Sequence, residues 1–309
     1  MTHPEPDLPA LPCYLNGEYT TLPHAKISVM DRGFIFGDGV YEVVPVYGGV
    51  PFRFEQHMSR LSRSLTELRI ANPLGPQQWL ELVQQLTTAY ASSVVQQPLT
   101  QTQQLVYIQI TRGVALRDHV MLPGLTPTVF ALANAMKLPS AADRERGVAC
   151  VTASDFRWQK AHIKSTSLLG AVFARQISFD AGATETVMFR GDWLSEAAAS
   201  NVWVVKDGHV IGPPNDNLVL EGIRYSLIEQ LCRQANIPFA LRPVSRSEVL
   251  AADELLLSSA TKEVLPITML DGQAVGHGAQ AGRPGLVYAQ LYALYQLAKQ
   301  ASQDAQKAS

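Results

Sequence analysis

Lysine is scarce in this chain, with eight among 309 residues, and one of them occupies unusual surroundings. Lys164 stands in Ala161-His162-Ile163-Lys164-Ser165-Thr166-Ser167-Leu168-Leu169, beside apolar residues and just ahead of a helical pattern. A lysine drawn into an apolar region loses hydration and gives up its proton more readily. A neutral amine can then form a Schiff base with an aldehyde. A lysine snorkelling at a helix N-terminus is the plainer alternative, although the positive end of a helix disfavours a cation. Metal chemistry has no comparable signal: His3, His24, His57, His119, His162, His209 and His277 include no H-x-H or H-x-x-x-H pair, and no metal site is expected. A P-loop and a G-x-S-x-G nucleophile elbow are absent. Gly37-Asp38-Gly39 lacks the third glycine of a dinucleotide fingerprint.

The elements that must carry these residues can be read from periodicity. Val40 to Tyr47 is rich in β-branched and aromatic residues and predicts a strand, turned by Gly48-Gly49 into Val50 to Phe54. From His57, apolar Met58, Leu61, Leu65 and Leu68 recur at helical spacing, and a second helix fits Trp79 to Tyr90. Leu105–Thr111 and Thr128–Leu132 predict strands bracketing a loop from Arg112 to Pro127. Beyond Val148–Thr152, a helix is expected over Ser165–Asp180, with Leu168, Leu169, Val172, Phe173 and Ile177 on one face. Strands at 186–190 and 254–259 and a hairpin over 201–211 around Asp207-Gly208 follow, with helices from Ile223 to about Ala235 and from Pro284 to Lys299. Ser245 and Glu248 have capping-box spacing. Strands cluster and helices cluster, so the class is α+β with two mixed domains. The expected organisation is a tail at 1–12, a small domain at 13–137, a charged linker at 138–145, a larger domain at 146–300 and a fraying tail at 301–309.

Composition narrows the setting. At 47% hydrophobic and 17% charged residues, the chain can bury a sizeable core. A net charge of −2 argues against nucleic acid as a partner. No apolar run approaches the roughly 18 residues of a membrane span, and the proline-rich start does not read as a signal peptide. Cys13, Cys150 and Cys232 are too few and too scattered for a disulfide framework. A reduced, cytoplasmic enzyme is the expectation.

Four blocks now add a resemblance. They are Asp31-Arg32-Gly33 with Phe36-Gly37-Asp38-Gly39-Val40-Tyr41-Glu42; His57-Met58-Ser59-Arg60-Leu61; Ile163-Lys164-Ser165 with Leu168-Leu169-Gly170; and Leu194-Ser195-Glu196 with Ser200-Asn201-Val202-Trp203. In their order and spacing, from about Tyr14 to Asp271, the chain resembles pyridoxal-phosphate enzymes of fold type IV, aminotransferase class IV, and D-amino-acid aminotransferases among them. The resemblance implies a two-domain fold with its active site in the interdomain cleft, and pyridoxal 5′-phosphate as cofactor. Lys164 matches the lysine that holds the cofactor as a Schiff base, and Glu196 the acid that pairs with its pyridine nitrogen. A carboxylate there keeps that nitrogen protonated, so the ring can accept electrons from the substrate Cα. Arg60 matches a phosphate ligand, as do the helix opening at Gly222-Ile223-Arg224 and Thr261. Arg224 and Ala260 each stand where the family carries threonine. Arg224 either replaces a hydroxyl contact with a charge or points to solvent. Arg157 matches a residue near the cofactor 3′-oxygen, and Glu185 is placed close to it. Leu220 and Ser200 complete the implied cofactor set.

For the substrate, the resemblance implies that Tyr41, Arg117 and His119 grip the α-carboxylate and that Val43, like Leu220, lines the side-chain pocket. In the family the loop bearing Arg117 reaches the active site of a second subunit, which implies a homodimer. The expected reaction moves the amino group of a D-amino acid such as D-alanine to 2-oxoglutarate or pyruvate. Branched-chain L-amino-acid transamination, (R)-amine transamination and aminodeoxychorismate lysis, known on the same fold, stay open as alternatives.

Overall fold

Alternation along two long strands sets the architecture of the first half. In β3 (Gly39–Tyr47), Val40, Glu42, Val44 and Val46 are buried, while Tyr41 and Val43 on the other face are half-buried. In β5 (Gln103–Thr111), Gln104, Val106, Ile108 and Ile110 are buried against half-buried Leu105, Tyr107 and Gln109. A period of two gives each strand one core face and one open face. The computed structural model describes residues 8–307 of the chain. These fall into two compact units: the chain up to Met136 with Lys164–Ser167 and the stretch from Ser302, and then Lys137–Ile163 with Leu168–Ala301.

The first unit is a six-stranded antiparallel sheet. To β3 and β5 it adds β1 (Pro12–Leu15), β2 (Glu18–Thr21), β4 (Val50–Pro51) and β6 (Thr128–Ala135), in the order β2-β1-β6-β5-β3-β4. A short helix α1 (Arg32–Phe36) precedes β3. Helices α2 (Phe54–Glu67) and α3 (Pro76–Tyr90) cover the core face through Leu61, Leu65, Trp79, Leu82, Val83 and Leu86, all buried. Helix α2 begins three residues before the expected His57, after Arg53 in a left-handed conformation (φ 56°). Residues 1–7 of the expected tail lie outside the described residues, and Pro12 already opens β1.

The second unit is built on a mixed sheet of β7 (Val148–Ser154), β8 (Glu185–Arg190), β9 (Trp193–Ala197), β10 (Asn201–Lys206), β11 (His209–Gly212), β12 (Phe239–Leu241), β13 (Glu254–Ser259), β14 (Glu263–Leu270) and β15 (Gln273–Ala274). The order is β12-β11-β10-β13-β14-β7-β8-β9, with β15 on β14. Its apolar heart includes Val187, Phe189, Val202, Val204, Leu255, Leu257 and Ile267. Helices are α4 (Ala141–Arg146), α5 (Leu169–Asp180), α6 (Ile223–Gln234), α7 (Arg246–Leu250) and α8 (Leu286–Lys307).

Four expectations change on contact with the fold. The stretch read as a linker holds α4, because Ser140 and Asp143 cap one another and Arg144 pairs with buried Glu263 at 2.7 Å. Helix α5 starts at Leu169, not Ser165. Ser165 bridges to Val40, and the Thr166 N–H donates to the Gly39 carbonyl at 2.9 Å, so these residues lie alongside β3. The apolar stripe of α5 is present but exposed, with Leu169, Val172 and Phe173 uncovered. The tail expected to fray from residue 301 continues as α8 to Lys307. That helix is started from a distance, the Glu254 carboxylate accepting the N–H groups of Val287 and Tyr288, each at 2.9 Å.

Candidate active site

In the first unit the candidate nucleophile is held by its backbone. The Tyr41 N–H donates to the Lys164 carbonyl at 2.9 Å, and the Lys164 N–H to Ser64 Oγ of α2 at 3.3 Å. One residue on, Thr166 Oγ1 donates to the Gly37 carbonyl at 2.9 Å. A Cβ on Gly39 would lie 2.6 Å from the Ile110 carbonyl oxygen, so this clamp closes only on glycine. The amine of Lys164 rests 3.9 Å from the centroid of the Tyr41 ring. Lys164 therefore does not stand at a helix N-terminus; it is pinned beside β3 on the open face that also carries Tyr41 and Val43. Tyr107 stands directly across from Val43, and Gln109 from Tyr41. The Tyr107 hydroxyl donates to Gln109 Oε1 at 2.7 Å, and its ring lies 5.8 Å from that of Tyr41. Burial pushes the Tyr107 hydroxyl up to about 12, so it stays a proton donor.

On the other face of β3, Glu42 is fully buried beneath α2. Arg60 meets it with two bonds, Nε to Oε1 at 2.7 Å and Nη2 to Oε2 at 2.8 Å, and His57 Nδ1 lies 2.8 Å from Oε2. His57 and Arg60 are three apart on one helix, which turns both toward the strand. Burial alone would raise the Glu42 carboxyl, but the Arg60 charge, its hydrogen bonds and His57 drive it far below the usual range. Arg60 thus presents a guanidinium whose orientation is fixed by a carboxylate.

The loop after β5 begins at Arg112, whose Nε and Nη2 embrace Asp38 at 2.8 and 2.9 Å. Asp38 also accepts Arg32 Nε at 2.8 Å. Further along, Arg117 and His119 both face the Phe36 ring of α1. The structure thus brings Arg117 and His119 together around one aromatic side chain.

In the second unit a different group assembles around Glu196 at the end of β9. This carboxyl is buried and receives three donors: Arg157 Nη1 at 2.6 Å, the Leu220 N–H at 3.2 Å and Asn201 Nδ2 at 3.2 Å. Arg157 is itself gripped by Asp155, Nε to Oδ1 at 2.9 Å and Nη2 to Oδ2 at 2.8 Å. Burial pushes the Glu196 carboxyl up, and the pull of Arg157 does not cancel it. Asn201 Nδ2 also donates to the Leu220 carbonyl at 3.1 Å. A Cβ on Gly222 would collide with the Asn201 side-chain oxygen Oδ1, so Gly222 is the residue that lets α6 begin against this group.

Helix α6 opens at Ile223, which is buried, and the Tyr225 N–H turns back to the carbonyl of the N-cap Gly222 at 2.9 Å. Arg224 does not point to solvent: it is 1% exposed, donates to the Ala260 carbonyl at 3.3 Å and lies over the Tyr295 ring at 5.4 Å. Thr261 is half-buried in the turn after β13, where the Lys262 N–H donates to Ser259 Oγ at 3.0 Å. Ser200 Oγ donates to Glu185 at 3.0 Å, and Lys262 Nζ pairs with the same carboxylate at 2.8 Å. A buried acid that can accept, with a helix N-terminus and a buried arginine that can donate, suits a protonated heterocycle bearing a phosphate. Among the described residues, no group of three His, Cys, Asp or Glu side chains could hold a metal ion.

A pinned lysine of this kind and a buried acid beside a ready anion cradle are the equipment of enzymes that work on amino groups. Comparison with known proteins agrees, and the chain belongs to amino-transferase class IV, whose family model matches residues 39–270. It is an aminotransferase. It is similar to the D-alanine aminotransferase of Staphylococcus epidermidis, 35% identical over 279 residues, covering 90% of this chain and 94% of that one. The D-alanine aminotransferase of Bacillus licheniformis is 34% identical, with 85% and 90% covered. Among solved structures, a T.th. branched-chain amino acid aminotransferase with pyridoxamine 5′-phosphate superposes with a TM-score of 0.82 at 21% identity, covering 93% of each chain. That likeness shows the fold, which is the fold type IV expected from the motifs.

Sequence reasoning passed over several members of these groups. Glu42, His57 and Asn201 lie inside the quoted blocks, and Asp155 is two residues from Arg157. A buried position occupied by a charged or amide side chain in a strand pattern was the available signal. Tyr107 and Gln109 could have been found by placing β5 beside β3 with the period of two.

Proposed function

We propose that this aminotransferase takes the amino group from a D-amino acid, D-alanine foremost, and passes it to a 2-oxo acid such as pyruvate or 2-oxoglutarate. Pyridoxal 5′-phosphate is the cofactor, and it supplies an electron-withdrawing ring and a carrier for the amino group. Lys164 would hold the cofactor through Nζ and, once displaced by substrate, move a proton from the substrate Cα. Glu196 would face the ring nitrogen. Its carboxylate would keep the ring nitrogen protonated, and Arg157, itself held by Asp155, keeps it in place. The first turn of α6, with Ile223, Arg224 and Thr261, would take the phosphate, together with Arg60 oriented by Glu42. Ala260 contributes its carbonyl by fixing Arg224. Ser200, Glu185 and Leu220 would support this set through the bonds described above.

The observation that carries the substrate reading is the pairing of Arg117 and His119 around Phe36, with Tyr41 placed under the lysine amine. A guanidinium with two further hydrogen-bonding groups matches a planar carboxylate. Val43 would line the side-chain pocket. The Staphylococcus epidermidis and Bacillus licheniformis relatives are D-alanine aminotransferases by name.

A homodimer belongs to the same proposal. Val29, Phe34, Leu116, Val120 and Met121 of the first unit are exposed, as is the α5 stripe of the second, and exposed apolar sets of this kind mark contact surfaces. The cytoplasmic assignment rests on composition and on three free, buried cysteines; burial pushes Cys150 and Cys232 up to about 12, so both stay protonated and unreactive. Among the described residues, no helix is long and apolar enough to cross a membrane.

Rapid mixing of the purified holoenzyme with D- and L-alanine tests the function. The visible band of the lysine-bound cofactor should decay with D-alanine, releasing pyruvate, and stay with L-alanine. Equal decay with both enantiomers would overturn the D-specific reading. Light scattering tests the dimer, and a monomeric mass at micromolar concentration would refute it.

A further inference from the structure

Within one chain, Arg117 and His119 sit on a loop whose apolar residues Leu116 and Val120 are exposed, the same residues proposed above as part of the dimer surface. A guanidinium on an exposed loop has many rotamers to lose before it can grip a small anion, so something must hold it. The contacts of this loop identify what does. The carbonyl of Asp118, the residue between the two, accepts a hydrogen bond from Arg32 Nη1 at 2.5 Å. The Phe36 ring meets three partners: the Arg32 guanidinium carbon at 4.9 Å from its centroid, the Arg117 carbon at 5.5 Å and the His119 ring at 5.4 Å. Arg32 is itself buried and anchored. It is 3% exposed and donates from Nε to Asp38 at 2.8 Å. Asp38 is held in turn by the two-point grip of Arg112. Arg112 Nη2 donates to the carbonyl of Leu68 at 2.7 Å, at the end of α2. A continuous line of charge-assisted bonds therefore runs from α2 through Arg112, Asp38 and Arg32 to the Asp118 peptide, and ends on the ring against which Arg117 and His119 lie.

We propose that Arg32, anchored by Asp38 and working through Phe36, is a positioning residue that presets Arg117 and His119 for the substrate carboxylate. Preference for carboxylate-bearing amino donors then depends on a side chain that touches no substrate. This inference rests on the carboxylate reading of Arg117. The geometry favours arginine: Nε serves Asp38 while Nη1 serves Asp118, from two nitrogens at the fixed angle of a planar fork, whereas a lysine offers a single nitrogen in place of that fork.

The test is the single-turnover half-reaction of the holoenzyme, followed by decay of its visible band, with D-alanine and with ethylamine, a primary amine lacking the carboxylate. Three variants are compared: Arg117→Ala, Arg32→Lys and Phe36→Leu. Misplacement of a positioned group by about an ångström can cost up to ~100-fold. Arg32→Lys should raise the half-saturating D-alanine concentration about tenfold or more, leaving the saturating rate and the ethylamine rate within about twofold. Phe36→Leu should shift the same quantity in the same direction by less. If Arg117→Ala is selective for D-alanine while Arg32→Lys and Phe36→Leu change both donors equally or neither, the positioning role is overturned and the carboxylate reading stands. If Arg117→Ala weakens both donors equally, both are overturned. Should Arg32→Lys lose the visible band altogether, Phe36→Leu decides alone by the same criterion.

Discussion

Two buried glutamates, each bonded to an arginine, behave in opposite ways. Glu42 and Glu196 both lie in the interior, the first under α2 and the second at the end of β9. Desolvation raises both. In Glu42 the rise is overwhelmed, because Arg60 gives it a two-point bond and His57 adds another. In Glu196 the rise survives. Arg157 spends its own two-point bond on Asp155 and offers Glu196 one nitrogen, and the Asp155 charge adds repulsion. The number of bonds from one guanidinium, and the presence of a competing anion, separate a permanently charged anchor from an acid prepared to share a proton. The first belongs to the frame that orients Arg60; the second stands where its charge depends on what else reaches it.

Removing each carboxylate should separate frame from chemistry. Glu42→Ala leaves Arg60 and His57 buried beside a lost counter-charge, and breaking a buried pair in this way costs about 3–5 kcal/mol. Urea unfolding should register that loss, together with weakened cofactor retention. A cost below about 1 kcal/mol, typical of exposed pairs, would mean that Glu42 is no anchor. Glu196→Gln keeps the shape and leaves Asp155 and Arg157 joined, so folding should change by less than about 1 kcal/mol. The half-reaction rate with D-alanine should nevertheless fall by about 10²–10³, the range for loss of a placed electrostatic partner. An unchanged rate would remove Glu196 from the chemistry.

How much of this contrast was legible in the sequence depends on distance along the chain. The alternation of β3 and the i, i+3 spacing of His57 and Arg60 are local, and so are the blocks around Lys164 and Glu196. The lysine and the acid proposed to hold the cofactor are named from them. What could not be read is who bonds to whom across the chain. Ser165-Thr166-Ser167 looks like the start of a helix, yet its hydrogen bonds go to Gly37 and Gly39. Arg224 looks like a surface charge one residue into a helix, but the Tyr295 ring and the Ala260 carbonyl close over it. The charges at 143–146 resemble a solvated linker, although Arg144 reaches a buried partner, Glu263, which lies far along the chain. In each case a local pattern was right about residue type and silent about the distant group that decides its role.

The subtlest separation of the two glutamates is in pH. A glutamate in an unfolded chain titrates near about 4.3. Glu42 titrates lower when folded, so the unfolded state binds more protons below that value. Its stabilisation is complete above about pH 4.3 and disappears as pH falls. Glu196 titrates higher when folded, so the folded state binds the extra proton. In the cofactor-free protein, stability must therefore decline as pH rises from about 4.3 into the folded-state titration of Glu196, and then level off. Glu42→Gln should flatten the acid limb of the stability curve, while Glu196→Gln should remove the decline above about pH 4.3. Urea midpoints measured across that range resolve the two limbs, since the substitutions act on opposite sides of one pH. If Glu196 pairs with the ring nitrogen as proposed, the holoenzyme should lack the Glu196 decline, because the carboxylate would then be held in its charged form by a positive partner. A decline of equal slope in cofactor-free wild type and Glu196→Gln would assign it to other groups and leave Glu196 without the property that distinguishes it from Glu42.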